Sequence, residues 1–270
     1  MNEVVVVIGA GSMGQAIARR VGAARTIVLA DVRVEAAQAA ADALADAGYV
    51  TVIAQVDVSS AESVAELART AAGLGQVTHV VHTAGLSPAQ ASAQAIIAVD
   101  LVGTALVLEE FGHVIAPGGA GIVIASQAGH MLPPLPADQT EALARTPAAE
   151  LGALPFLAAV TGSGAAYALA KRANIVRVQA AAVVWGDRGA RVNSVSPGII
   201  MTPLARDELN GPGAAGYQRM IAASAAKRVG TPDEVADAAA FLMQASFVTG
   251  ADLLIDGGVI AAIATGRYVL

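Results

Sequence analysis

Residues 4–14 read Val-Val-Val-Val-Ile-Gly-Ala-Gly-Ser-Met-Gly, a run of branched apolar residues followed by a glycine-rich turn. The run predicts a strand buried on both faces, and the residues after the turn, Gln15–Val21, predict a helix. Glycine permits a tight turn and lets the backbone approach a pyrophosphate at the helix N-terminus. The stretch therefore predicts a dinucleotide site, with these residues of the turn as cofactor contacts: Gly9, Gly11, Ser12, Met13 and Gly14.

Outward from this unit, apolar runs alternate with helical patterns along the chain. The further predicted strands are Thr26–Ala30, Val50–Gln55, Val77–His82, Gly121–Ser126, Arg191–Val195 and Asp252–Ile255. This alternation predicts an α/β fold, a doubly wound parallel sheet of about seven strands with Rossmann-like topology. We expect a single domain over residues 1–258 and a C-terminal tail over 259–270. Residues 129–164, rich in Pro, Leu and Ala, predict an inserted segment with short helices at Asp138–Arg145 and Ala148–Leu151.

Composition limits the possible classes of protein. The 270 residues are 55% hydrophobic and 14% charged, with a net charge of −6 and no cysteine. The absence of cysteine excludes a disulfide scaffold and thiolate metal sites, and the acidic balance argues against a nucleic-acid or anionic-membrane partner. The long uncharged runs contain too many Gly and Pro residues to predict a membrane span. The start, Met1–Glu3, lacks the basic region of a signal peptide, so we expect a cytoplasmic protein.

No metal site is predicted either. His79 and His82 are three residues apart on a predicted strand, where side chains at that spacing point to opposite faces. Two histidines on opposite faces do not bind one ion.

Asp31, at the end of the second predicted strand, bears on the choice of cofactor. It follows Gly9 by 22 residues, close to the spacing of about 20 expected for a carboxylate that holds ribose hydroxyls. A carboxylate there repels a 2′-phosphate, which favours NAD over NADP, although the nearby Arg33 could accommodate that phosphate. The alternative for Asp31 is a turn residue at a strand end.

Tyr167 and Lys171 are four residues apart in an Ala/Leu-rich stretch, which predicts that they share one helix face. Lys171 is one of only two lysines in the chain. A neighbouring cation stabilises a phenolate and brings the pKa of tyrosine closer to working pH. The alternative is a surface cation that packs along its helix.

Together these motifs resemble the short-chain dehydrogenase/reductase family, and the resemblance covers nearly the whole chain. The matching segments, in family order, are Gly9–Gly14, Asp31, Asp57, Thr83-Ala84-Gly85, Ser126, Tyr167 with Lys171, Asn193–Gly198, Val229–Ala236 and Val248–Gly258. Ser126 and Tyr167 are 41 residues apart, more than is usual in the family. A longer segment at this place resembles bacterial hydroxysteroid dehydrogenase/carbonyl reductase members.

The resemblance implies a role for each matching residue. Tyr167 would be the general acid or base, Lys171 would bind the nicotinamide ribose and lower the pKa of Tyr167, and Ser126 would hydrogen-bond the substrate oxygen. Asp100 stands at the position of the fourth catalytic residue of the family. The other implied cofactor contacts are Asp57, Val58, Ala84 and Gly85 around the adenosine, and Pro197, Gly198, Ile200 and Thr202 around the nicotinamide.

Four departures from the family pattern stand out. The glycine turn is one residue tighter than usual, His82-Thr83 replaces the usual Asn-Asn, and Asp100 replaces an asparagine. If that asparagine acts through its backbone carbonyl and water, activity survives, whereas a need for its side-chain amide would impair activity. The fourth departure is the segment 129–164, which would suit an apolar substrate wall or equally a partner surface. Residues Leu204–Tyr217 are interpreted as a mobile substrate loop.

The sequence thus predicts an NAD-dependent oxidoreductase that interconverts a secondary alcohol and a ketone, with an apolar substrate such as a steroid or another bulky carbonyl compound. The family resemblance implies a homodimer or homotetramer. Two alternatives stay open. The first is a non-catalytic NAD-binding regulatory or scaffold protein on the same fold, since fold alone does not give function. The second is a Rossmann methyltransferase, which would leave the Tyr–Lys pair unexplained.

Overall fold

The structure is a computed structural model that describes residues 2–211 and 213–269. Met1 and Leu270, at the ends of the predicted domain and tail, lie outside the described residues, as does Pro212 within the predicted substrate loop. Within the described part, no helix is both long enough and apolar enough to cross a bilayer.

The centre of the fold is a seven-stranded sheet in which every neighbouring pair of strands is parallel, in the order β3-β2-β1-β4-β5-β6-β7. The strands are β1 (Glu3–Ile8), β2 (Thr26–Asp31), β3 (Val50–Gln55), β4 (Gln76–His82), β5 (Ile115–Ile124), β6 (Arg191–Pro197) and β7 (Asp252–Ile255). This doubly wound order confirms the predicted fold class.

Helices connect the strands and cover the sheet. They are α1 (Ser12–Val21), α2 (Val34–Ala45), α3 (Ala61–Leu74), α4 (Ala93–Ile96), α5 (Thr104–Val114), α6 (Gln127–Met131), α7 (Ala137–Arg145), α8 (Ala148–Leu151), α9 (Ser163–Gly186), α10 (Pro203–Asn210), α11 (Ala214–Ala223), α12 (Pro232–Gln244) and α13 (Val259–Ala264). A π-helical stretch, Ile97–Gly103, joins α4 to α5, and a 3-10 helix, Pro155–Ala159, precedes α9.

The first strand shows why an unbroken apolar run is needed at the centre of such a sheet. Val4, Val6 and Ile8 pack into the hydrophobic core on one face, and Val5 and Val7 pack into the core on the other face. All five side chains are fully buried. Because successive side chains of a strand alternate between faces, only a continuous apolar run serves both cores.

The position of β1 also decides where a ligand can bind. β1 lies between β2 and β4, so the chain leaves β1 in one direction and returns to its other side after β3. Connections that diverge in this way leave a crevice at the carboxyl ends of the strands. The glycine turn after Ile8 and the residues after His82 lie at this crevice.

The segment 129–164 is built from short helices, as predicted. Helices α7 and α8 differ from the predicted ranges by one residue at most. The segment is fixed to the body by Arg177 of α9, whose guanidinium donates to the carbonyls of Leu143 and Thr146 at 2.9 Å each and to Glu109 of α5 at 3.0 Å. Its helices therefore lie against α5 and α9.

Only a small part of this segment reaches the ligand crevice. Among its described residues, Met131 and Gly164 line the cleft. Several other apolar residues of the segment belong to the hydrophobic core or pack against it instead: Leu132, Leu135, Leu154, Phe156 and Leu157. The segment is therefore chiefly a cover over α5 and α9 rather than a substrate lid.

Two local predictions are wrong. The fifth strand begins at Ile115 rather than Gly121, because β4 pairs with it on both sides of a register shift, through Val77–Ile115 and His79–Ala120. It ends at Ile124, two residues before Ser126. Residues 204–217 are not a loop but lie mainly in helices α10 and α11. Helix α10 begins there because Thr202 caps it, accepting from the backbone N–H of Ala205 at 3.1 Å.

Candidate active site

The glycine turn between β1 and α1 forms a close-packed cradle. Gly9 has a φ of +97°, and a Cβ there would lie 2.6 Å from the backbone nitrogen of Ala84 and 2.7 Å from the Thr83 hydroxyl oxygen. A side chain at Gly14 would collide with the carbonyl oxygen of Gly9, whereas a Cβ at Gly11 would meet nothing within 4 Å. Gly11 thus leaves open space at the N-terminus of α1, where an anionic group is favoured.

The carboxylate of Asp31 is tied to this turn. One oxygen accepts from the backbone N–H of Ala10 at 2.9 Å, and the other accepts from the N–H of Arg33 at 3.0 Å. The second contact is the local turn that the sequence offered as an alternative, and the first joins Asp31 to the glycine turn. The Arg33 side chain is 77% exposed and its Nε lies 4.0 Å from Asp31.

The predicted adenosine contacts lie at the ends of β3 and β4. Asp57 is exposed, and one of its oxygens accepts from the backbone N–H and the hydroxyl of Ser59 at 2.9 and 2.6 Å. Val58 is buried against Gly103. Ala84 and Gly85 follow β4, and a Cβ at Gly85 would lie 3.1 Å from Asp100 and 3.3 Å from Lys171.

Tyr167 and Lys171 share a face of α9, as predicted. The Lys171 Nζ lies 5.4 Å from the centre of the Tyr167 ring and donates to the carbonyl of Ile124 at 3.3 Å. Its side chain is only 6% exposed, so the alternative of a surface cation is wrong.

Asp100 is the ionic partner of this buried lysine. Its carboxylate is fully buried, with one oxygen 3.2 Å from Lys171 Nζ and the other accepting from the backbone N–H of Leu86 at 2.8 Å. Burial acts to lower the pKa of Lys171, but the charge of Asp100, followed by that of Tyr167, raises this pKa above its usual value. The ammonium therefore stays charged across the neutral range.

A distortion of the helix supports this pair. Asp100 lies in the π-helical stretch, a rare geometry that occurs often at functional sites. Its carbonyl accepts from the Thr104 hydroxyl at 2.8 Å, and that hydroxyl oxygen lies 3.1 Å from His82 Nε2. Because Thr104 uses its proton on Asp100, we assign the proton of the imidazole to Nε2. His82 is thus a buried residue that is linked to Asp100 through Thr104.

His82 gives the protein a specific sensitivity to acid. Burial lowers its pKa to about 3, with a smaller contribution from the charge of Lys171, whereas an unfolded histidine titrates near 6.5. Between these values the unfolded chain binds more protons, so stability falls as the pH falls. Between pH 7.5 and 4.5, the free energy of unfolding of His82→Asn should fall by about 2 to 3 kcal/mol less than that of the wild type. Urea unfolding at both pH values measures this, with exposed His113→Asn as the control; equal losses in His82→Asn and wild type would contradict it.

Ser126 follows β5 and caps α6, where its hydroxyl oxygen accepts from the N–H of Ala128 at 3.2 Å. The proton of this hydroxyl is free to be donated to another group. After β6, Gly198 packs closely, since a Cβ there would lie 2.7 Å from the Cα of Asp256 and 3.0 Å from Gln127 Oε1.

These elements form an open cleft. Ten of the residues proposed from the sequence line it: Met13, Gly85, Asp100, Ser126, Tyr167, Lys171, Pro197, Gly198, Ile200 and Thr202. The other proposed residues do not line the cleft. They lie along the same edge of the sheet, at the glycine turn and the start of α1, at the end of β2, and after β3 and β4: Gly9, Gly11, Ser12, Gly14, Asp31, Asp57, Val58 and Ala84.

Sequence reasoning missed four polar residues of the cleft, namely Ser87, Gln127, Glu208 and Tyr217. Gln127 is buried, and its amide oxygen has no hydrogen-bond partner among the described residues. The segment that contains Glu208 and Tyr217 was predicted to contact substrate, but nothing in its sequence indicated which side chains would do so.

Comparisons with known proteins agree with this architecture. The family model described as short chain dehydrogenase matches residues 3–136, and the model described as Enoyl-(Acyl carrier protein) reductase matches residues 153–260. A short-chain dehydrogenase/reductase of Alternaria brassicicola is 41% identical over 96% of both chains. A 3beta-hydroxysteroid dehydrogenase of Eggerthella lenta is 31% identical over 95% of this chain and 93% of its own length.

The solved structures bear on the fold alone. A short-chain dehydrogenase/reductase from Serratia marcescens superimposes with a TM-score of 0.75 at 23% identity, over 96% of this chain and 98% of that one. The parallel sheet, the ordered motifs along its carboxyl edge and the full-length relatives lead to one assignment. The chain belongs to the short-chain dehydrogenase/reductase family, whose members use a nicotinamide cofactor.

Proposed function

We propose that the protein is an NAD-dependent oxidoreductase that interconverts a secondary alcohol and a ketone. The observation that carries this proposal is the convergence of Ser126, Tyr167 and the buried Lys171 on one cleft. A purely nucleotide-binding protein has no chemical need for a phenol beside a buried ammonium and a free hydroxyl.

Each of these residues has a defined task in carbonyl reduction. The Ser126 hydroxyl donates a hydrogen bond to the substrate oxygen, where negative charge develops. The Tyr167 hydroxyl gives its proton to that oxygen, and Lys171 stabilises the phenolate left behind. A bound nicotinamide cofactor supplies the hydride chemistry. In alcohol oxidation the same groups act in reverse, with Tyr167 as the base.

The residues along the sheet edge fit a dinucleotide. The cradle around Gly9 and Gly14 has no room for side chains, while Gly11 leaves space for a pyrophosphate. Asp31 lies beside this cradle with a carboxylate that accepts hydrogen bonds. Ribose hydroxyls can donate to it, whereas a 2′-phosphate would be repelled, which supports NAD rather than NADP.

The role of Asp31 can be tested by binding alone. We expect Asp31→Ala to weaken NADH binding about tenfold to a hundredfold, since hydrogen bonds to a charged group contribute about 1.5 to 3 kcal/mol each. NADPH binding should weaken less, because removal of Asp31 leaves Arg33 free to pair with a phosphate. Fluorescence titration of both cofactors measures this, with exposed Glu35→Ala as the control. Tighter binding of NADPH than NADH by the wild type would contradict the assignment.

The lining of the cleft supports a bulky and mostly apolar substrate, such as a steroid or another large carbonyl compound. Leu86, Met131, Leu204 and Met220 are among the residues that line the cleft together with Tyr167. The hydroxysteroid dehydrogenase of Eggerthella lenta, a relative over nearly the full length, acts on substrates of this kind by its name.

A homo-oligomer, either a dimer or a tetramer, is also part of the proposal. Large apolar side chains are exposed on α9 and α12, including Val183, Val184 and Phe241. Burial of such side chains against a second copy is a common fate for exposed apolar patches.

The experiment that tests the activity is a panel of cyclic and steroid ketones with NADH, and of the matching alcohols with NAD, followed at the nicotinamide absorbance. We expect turnover of at least one bulky ketone–alcohol pair. Tight NADH binding without turnover of any member of the panel would instead favour a regulatory or scaffold protein on the same fold.

A further inference from the structure

The end of the cleft formed by α10 and α11 carries an unbalanced negative charge. Three of the described residues that line the cleft are charged. Asp100 and Lys171 pair with each other, which leaves Glu208 of α10. No lysine or arginine among the described residues lies within ion-pair distance of the Glu208 carboxylate.

Glu208 is held by the hydroxyl group of a residue outside α10 and α11. The buried Ser87, in the loop after β4, donates its hydroxyl to Glu208. Tyr217 of α11 lines the same cleft as Glu208. Burial, followed by the charge of Glu208, raises the pKa of Tyr217 to about 12, so this phenol keeps its proton. The Ser87 hydroxyl orients the Glu208 carboxylate within the cleft.

The Ser87 hydroxyl does not occupy all the acceptor sites of the Glu208 carboxylate. An ionised carboxylate has about four acceptor sites and no donor, so Glu208 can accept further hydrogen bonds from a molecule in the cleft. Glu208 and Tyr217 line the same cleft as Tyr167, so they face the same space as the reacting end. A substrate seated against Tyr167 would therefore extend toward Glu208.

We propose that Glu208 is a specificity-determining residue that accepts a hydrogen bond from a hydroxyl group of the substrate remote from the reacting carbon. The same charge excludes substrates that carry a carboxylate at that position. The preferred substrate is then a hydroxylated apolar ketone or alcohol, with one oxygen at Tyr167 and a second at Glu208. This inference rests on the proposed function, since it concerns the substrate of that site.

The competing role for Glu208 is to hold α10 closed through its bond with Ser87. Glu208→Gln separates the two roles. The amide oxygen of glutamine still accepts from the Ser87 hydroxyl, so the contact between α10 and the loop is kept while the charge is removed. Asp207→Asn makes the same chemical change one residue earlier, on the exposed side of α10 and outside the cleft.

The test uses sets of three ketones that are identical except for one distal group: hydroxymethyl, ethyl or carboxylate. In the wild type we expect kcat/KM to be at least tenfold higher for the hydroxymethyl ketone than for the ethyl ketone, and lowest for the carboxylate. In Glu208→Gln the carboxylate ketone should gain at least tenfold relative to the ethyl ketone, because the repulsion is gone. Asp207→Asn should keep the wild-type ratios.

The possible failures are distinguishable. Unchanged ratios in Glu208→Gln would overturn the specificity role while leaving the oxidoreductase assignment intact. If those ratios are unchanged because kcat/KM falls by the same factor for all three ketones, Glu208 holds α10 closed rather than selecting the substrate. Turnover of no ketone at all would contradict the proposed function, and the specificity role would fall with it.

Discussion

Replacing Tyr167 with phenylalanine is expected to lower kcat/KM for ketone reduction about a hundredfold to ten-thousandfold, with NADH affinity nearly unchanged. General acid–base catalysis contributes about 10² to 10⁴ in rate, and Tyr167 is the group to which we assign proton transfer to the substrate oxygen. The variant removes one oxygen atom and leaves the ring that packs above the Lys171 ammonium at 5.4 Å. Steady-state kinetics and NADH titration on the same preparation measure the two effects separately.

The matched control is Tyr49→Phe, which removes a phenol hydroxyl that donates to the carbonyl of Arg19 at 2.8 Å, away from the cleft. This variant should retain wild-type turnover. Turnover of Tyr167→Phe within tenfold of the wild type would refute the assignment of Tyr167, because a phenyl ring cannot transfer a proton.

Local patterns were sufficient to predict the centre of the fold. The apolar run Val4–Ile8 predicts a strand buried on both faces. The glycine turn after it predicts a place where the backbone can approach a phosphate. The short helices α7 and α8 were also predictable, because each begins directly after a proline, Pro136 or Pro147. Proline disfavours the helical conformation in the residue that precedes it, so neither helix can extend to residues before its proline.

The fifth strand shows where local patterns fail. Pro117, Gly118 and Gly119 interrupt the apolar pattern, so sequence reasoning starts the strand after them. In the structure the strand spans these residues, because its partner β4 pairs on both sides of the irregularity. Pairing between distant segments overrides local propensity at such places.

The polar end of the cleft was beyond sequence reasoning for a related reason. Ser87 and Glu208 are 121 residues apart in the chain, and neither belongs to a motif with characteristic spacing. Their approach is produced by the position of α10 over the carboxyl edge of the sheet. Tyr167 and Lys171, by contrast, are brought together by the pitch of a single helix, which a sequence does reveal.

Asp100 lies between these two cases. The sequence marks it as a departure from an expected asparagine, with the consequence left open between a backbone and a side-chain role. In the structure its side chain pairs directly with Lys171 and also accepts from Leu86, while its carbonyl accepts from Thr104. The carboxylate is therefore a positioning group for Lys171, and its charge offsets part of the ammonium charge that Tyr167 experiences.

We expect Asp100→Ala to lower the free energy of unfolding by about 3 to 5 kcal/mol, because it leaves the Lys171 ammonium buried without its anion. The pKa of Lys171 is raised in the folded state, so this stabilisation is fully present below about pH 10 and is lost as the pH rises through the folded value. Urea unfolding at pH 7 and 8 therefore measures the full effect. A loss below 1 kcal/mol would contradict the importance of the pair.

Asp100→Asn keeps the volume and the acceptor oxygen but removes the charge, so it should be less destabilised than Asp100→Ala and should retain activity. The ammonium of Lys171 is then uncompensated and stabilises the Tyr167 phenolate more strongly. Alcohol oxidation needs that phenolate as its base, so the acidic limb of its kcat/KM profile should move to lower pH. If the acidic limb stays at the same pH, the charge of Asp100 does not affect Tyr167. If it moves to higher pH, the charge of Asp100 acts in the opposite direction to the one expected from its 3.2 Å ion pair with Lys171. Either result would contradict the prediction.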